Sequence, residues 1–131
     1  MRTAPLLMAA GLMGLGVLMA QNGPAPWFSA AQAQRGQALA LQQCAACHGV
    51  RLEGRYGPPL SGSRFSEKWR GKAGKALQLY IAQNMPKGQA GHLSQTQTLE
   101  LIAFILQTNG YPGGRQDLTP ETLEQLKLFQ P

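Results

Sequence analysis

The segment Cys44-Ala45-Ala46-Cys47-His48 constrains this chain more than any other part of it. Its two thiols stand three positions apart, on adjoining turns if the segment is helical, and an imidazole follows directly. Cys-x-x-Cys-His is the spacing by which a c-type haem is attached. Each thiol adds to one vinyl group of a single porphyrin, and the histidine falls beneath the ring, where it can bind the iron. A chain with such a cofactor folds around a flat apolar disc, and the remaining sequence has to supply the walls.

Three other uses of these residues stand beside that one. A redox dithiol also uses Cys-x-x-Cys, but it belongs near a βαβ pattern, and no alternating strands occur here. A disulfide between the only two cysteines would close a loop too small to stabilise much. A zinc site needs four ligands, and the soft or borderline donors beyond the N-terminal segment are Cys44, Cys47, His48 and His92. Because His48 directly follows Cys47, those two cannot easily share one tetrahedral ion with Cys44.

The N-terminus reads as a targeting segment. Arg2 provides a short positive region, and Leu6 to Ala20 is an uncharged apolar run, short for a membrane span but suited to a signal peptide. Ala31-Gln32-Ala33 is an A-x-A cleavage site. The expected organisation is therefore a signal peptide over residues 1–33, one domain over 34–131, and a periplasmic location. The stretch from Gln21 to Ala33 is long for a cleavage region, so retention as a membrane anchor is the alternative.

The expected mature part is small enough that its own core would be marginal, and a buried apolar cofactor would help it fold. The formal charge of the whole chain is +6. Arg64, Lys68, Arg70, Lys72 and Lys75 crowd one stretch, with Lys87 following. They form either a solvated face or a docking patch for an acidic redox protein partner, steered by charge. A nucleic-acid partner lacks any recognition motif and conflicts with export.

Periodicity predicts helices and no strand. Arg35 to Gln43 reads as a helix running into the cysteine motif, and residues 49–74 read as a long loop with Pro58 and Pro59. Lys75 to Asn84 is the next helix, ended by Pro86. Ser94 with Gln97 forms a capping box ahead of Leu99, Ile102, Ala103 and Leu106, and Asn109-Gly110 closes that helix. Thr119 and Pro120 open a last helix through Phe129. The expected class is all-α.

An iron held by one histidine needs an account of its other face. Met85 is the single methionine outside the leader. His92 is the rival ligand, and an open sixth position the third possibility. Met85 leads, because Met/His ligation is the pair used by electron-carrying c haems.

Over its mature region the chain resembles the class I cytochrome c family. The matching pieces are Cys44 to Gly49, Gly57-Pro58-Pro59-Leu60-Ser61-Gly62, and Met85-Pro86 followed by a terminal helix. The resemblance implies a cytochrome c fold of three to five helices with long loops around one haem, working as an electron carrier and not an enzyme. It implies covalent attachment through Cys44 and Cys47, axial ligation by His48 and Met85, and a Pro58 carbonyl that takes the far ring nitrogen of His48. Trp69 is a candidate donor to a haem propionate, or simply a packed tryptophan.

Met85 to Gly114 is similar to the cytochrome subunits and domains that accept electrons from periplasmic dehydrogenases, although Thr98 and Glu100 replace an expected aromatic and aspartate. That likeness implies a dehydrogenase as donor and a respiratory oxidase downstream. A haem enzyme or gas sensor with a vacant sixth position is the alternative function.

Overall fold

The structure is a computed structural model and describes residues 26–130. The expected leader run, Leu6 to Ala20, lies outside the described residues. Those residues form helices α1 (Ala30–Gln43), α2 (Ala45–His48), α3 (Ser63–Trp69), α4 (Gly74–Asn84), α5 (Gln95–Thr108) and α6 (Pro120–Gln125), with only isolated bridges and no strand. The all-α expectation holds. The helices number six instead of three to five, because α2 is a single turn and α3 forms inside the expected loop.

The α1–α5 crossing organises the domain. A Cβ on Gly36 would lie 1.8 Å from the Glu100 carbonyl oxygen, so the two helices meet backbone to backbone. From the other side α5 buries Leu101 through Leu106. Its start is the expected capping box, with the Ser94 hydroxyl accepting from Gln97 N–H and the Gln97 side chain accepting from Ser94 N–H. Gly36→Ala tests the crossing. Alanine favours a helix by up to about 1 kcal/mol, but overpacking against fixed backbone costs about 1–3 kcal/mol. The expected outcome is a lower urea midpoint with an unchanged slope.

The first helix starts earlier than its sequence suggested. Ser29 caps α1, accepting from Gln32 N–H at 3.0 Å, and its hydroxyl also meets Asp117. The Gln32 side chain pairs with the backbone of Leu118 twice, at 3.0 and 2.7 Å, and Gly114 N–H donates to the Phe28 carbonyl at 2.7 Å. Phe28 and Ala33 are fully buried. The expected boundary between residues 33 and 34 thus falls inside α1, and the folded domain reaches back at least to Trp27, which packs against the core.

α3 was hidden by its brevity and its glycine N-cap, yet Phe65 and Trp69, one turn apart, are both buried. α6 ends at Gln125, short of the expected Phe129. Beyond it the chain runs extended as a strap on the α3–α4 connection: Gly74 N–H donates to Leu126 at 2.7 Å, and Gly71 N–H to Leu128 at 2.7 Å. The strap buries Leu126 and Leu128, which a continued helix would turn partly to solvent. Among the described residues no helix is long and apolar enough to cross a membrane.

Candidate functional site

All six residues singled out from the sequence line one cleft: Cys44, Cys47, His48, Pro58, Trp69 and Met85. Its walls are largely apolar, with Leu52 and Leu60 from the loop after α2, Leu77 and Ile81 from α4, and Phe104 and Ile105 from α5.

α2 carries the cysteine motif. Cys44 closes α1 through its backbone N–H to Ala40 and then precedes the single turn of α2, so both thiols and the imidazole stand on one short helical segment. Cys44 is partly buried and Cys47 exposed. Burial pushes the Cys44 thiol up to about 11, with the neighbouring Cys47 adding to the effect, so Cys44 is a neutral thiol near pH 7.

His48 is buried, and its Nδ1 lies 2.7 Å from the Pro58 carbonyl oxygen. A carbonyl can only accept, so Nδ1 must carry the proton. Nε2 is left with the lone pair a metal requires. Gly57 makes this packing possible, since a Cβ there would lie 3.0 Å from His48 Cε1. In the sequence Gly57 is legible only as part of a motif, and its place immediately before Pro58-Pro59 is the signal. In the sequence Asn109 is legible only as a helix terminus. It also ties the Pro58 loop to α5, donating to Leu60 O at 2.9 Å and accepting from Gly62 N–H at 3.1 Å.

Met85 sits at the C-cap of α4, half-buried, with its N–H on Ile81 O at 2.9 Å. It borders the cleft, whereas His92 is exposed and lies outside the lining. Trp69 is buried against Phe65 and Tyr80, with the Lys72 ammonium 5.0 Å from its ring centroid. That setting suits plain packing as well as a polar contact at the cleft edge.

The donor set discriminates among the ligands open to it. Among the described residues no three His, Cys, Asp or Glu side chains gather to hold a metal ion, which zinc would need. An imidazole and a thioether bordering one apolar cleft, with two thiols beside the imidazole, match an iron macrocycle with two axial ligands and two covalent tethers. The residues present fit haem c.

Comparison with known proteins follows the same line. Residues 31–105 match the family described as cytochrome c oxidase, cbb3-type, subunit III. The chain belongs to this family. It is a c-type cytochrome by that membership, and the match runs from the second residue of α1 to near the end of α5. The C-terminal strap lies beyond it. This cytochrome also resembles a chain in the crystal structure of the sulfane dehydrogenase SoxCD from Paracoccus pantotrophus, at 24% identity and a TM-score of 0.58. That match covers 85% of this cytochrome and 68% of the other chain, and it shows the fold. No curated protein matches. Within the fold, Thr98 and Glu100 are occupied locally: the Thr98 hydroxyl donates to Ser94 O at 3.0 Å, and Glu100 takes Arg35 at 2.7 Å.

Proposed function

We propose that this cytochrome carries single electrons on one haem c attached through Cys44 and Cys47, with His48 and Met85 as axial ligands. The observation that carries the reading is the His48 Nδ1 to Pro58 contact at 2.7 Å in a cleft that Met85 also borders. Bound there, a haem supplies a ferrous/ferric couple. The chain's own residues do the rest. Pro58 fixes the imidazole and raises its basicity, the Met85 thioether favours the reduced iron, and the apolar walls keep water from the metal.

Export to the periplasm, a dehydrogenase as donor and a respiratory oxidase as acceptor complete the reading. The cysteine motif supports export, because haem attachment of this type takes place outside the bacterial cytoplasm. Any cleavage of the leader then falls ahead of Trp27. N-terminal sequencing checks it, and a chain found intact in the membrane pellet would point to an anchor.

Intact mass tests the cofactor. The exported protein should exceed its polypeptide mass by one haem, and colour should survive acid-acetone extraction. Colour lost to the solvent would overturn the covalent assignment.

An acidic partner is supported by Arg64, Lys68 and Lys87, which border the cleft. Lys75, in contrast, is paired with Glu124 at 3.1 Å. Electron exchange with the partner should slow as salt rises, because rim charges act mainly through the on-rate and are screened beyond about 8–10 Å. Replacing Lys68 and Lys87 together by Glu should slow it further at low salt and matter little at high salt. Flat rates in both comparisons would reduce the basic stretch to a solvated face.

A further inference from the structure

The loop after His48 buries its middle and displays its ends. Leu52 is 1% exposed and holds φ 60°, a left-handed conformation that a non-glycine residue keeps only when its surroundings dictate it. The surroundings do so here. Gly54 N–H donates to His48 O at 2.7 Å, Gly57 N–H to Cys47 O at 2.8 Å, and Leu60 N–H to Leu52 O at 2.8 Å. The loop is thereby fixed to the backbone of the residues that carry the second thiol and the imidazole.

On this fixed support Tyr56 is 88% exposed and Val50 59%. One exposed aromatic is ordinary, but here two exposed apolar side chains stand on a loop whose backbone is hydrogen-bonded to Cys47 and His48. The Arg55 guanidinium lies 5.7 Å from the Tyr56 ring centroid. Arg51 and Arg55 outweigh Glu53, whose carboxylate accepts from Arg51 N–H at 2.8 Å. Backbone N–H groups of Glu53 and Arg51 hold that carboxyl below the usual range, so it stays charged and the loop keeps one net positive charge. Tyrosine and arginine are the side chains that anchor protein interfaces, and a rigid loop loses little entropy on docking.

We propose that the Val50–Tyr56 loop is a second recognition element for the redox partner, with Tyr56 inserting into an apolar pocket rimmed by carboxylates that face Arg51 and Arg55. The proposal rests on the electron-carrier reading. It adds buried contact, which governs how long the complex lasts, to the salt-dependent steering supplied by the cleft rim.

The test compares purified holoprotein variants in electron exchange with membranes and soluble extract of the protein's own cells, and separately with hexacyanoferrate. Tyr56→Ala should slow exchange with the cell fractions about tenfold, at high salt as well as low. Its absorption spectrum and its rate with hexacyanoferrate should not change, and Tyr56→Phe should retain most of the rate. Exchange with the cell fractions that Tyr56→Ala leaves untouched would overturn the proposal, as would equal slowing with hexacyanoferrate. Wild-type protein inert toward both oxidant and cell fractions would remove the carrier reading and this proposal with it. Sedimentation with phosphatidylglycerol vesicles that Tyr56→Ala abolishes would assign the loop to an anionic membrane surface instead, and so overturn it.

Discussion

Met85→Ala should remove the weak long-wavelength band that marks iron–sulfur bonding in the ferric protein, and should lower the reduction potential. Under the proposed attachment the haem itself should stay, because Cys44 and Cys47 would hold it independently of the axial ligand. The direction of the potential follows from chemistry: a thioether stabilises ferrous iron, and water or a second nitrogen ligand in its place stabilises ferric iron. His92→Ala should leave both spectrum and potential nearly unchanged, since His92 is exposed and outside the cleft lining. The opposite pattern would establish bis-histidine ligation. If the wild-type ferric protein lacked the band and bound small ligands at once, the sixth position would be open and the haem enzyme or gas sensor would become the better reading. Optical titration of the three proteins decides among these.

A chain beginning at Gln34 should fail to form a stable domain, whereas one beginning at Gln21 should fold. The shorter chain lacks Phe28, which is fully buried, and removing a buried phenylalanine side chain costs about 3–5 kcal/mol. It also lacks the Ser29 cap, worth about 1 kcal/mol. The two Gln32 to Leu118 bonds go with them, at about 1 kcal/mol each, and Leu118 keeps a buried N–H and carbonyl without partners. The total rivals the whole stability of a small domain, about 5–15 kcal/mol. Denaturant unfolding of the two holoproteins measures it, and equal midpoints would show that residues 21–33 contribute nothing.

How much of this was legible in the sequence differs residue by residue. Cys44, Cys47 and His48 stand out at once as a candidate cluster by their short spacing, and the structure brings them to one cleft. Met85 stands out by composition as the single methionine beyond the leader, and it borders the same cleft. The α5 capping box was legible because Ser94 and Gln97 act on each other across one turn. The start of α1 was not. Ala31-Gln32-Ala33 satisfies the small-residue pattern of a cleavage site, and nothing local reveals that Gln32 is held by Leu118, 86 positions away. α3 was missed for a related reason: seven residues behind an uncapped glycine carry little helical signal, and burial of Phe65 and Trp69 stabilises them only once α4 and the strap are in place.

The sequence by itself determined the helical class and the family, and it supplied the thiol spacing on which the haem proposal rests, since spacing, apolar period and capping are all written within a turn or two of chain. Only the tertiary structure decided where α1 begins, which nitrogen of His48 is taken by a carbonyl, and which lysines border the cleft. The His48 tautomer depends on a carbonyl delivered by a separate loop, and that loop is tied down by Asn109 from the far end of α5. Lys75 pairs with Glu124 on α6 and lies outside the cleft lining, while Lys68 and Lys87 border it. Such pairings join residues far apart in the chain, and their geometry exists only after the helices close on one another.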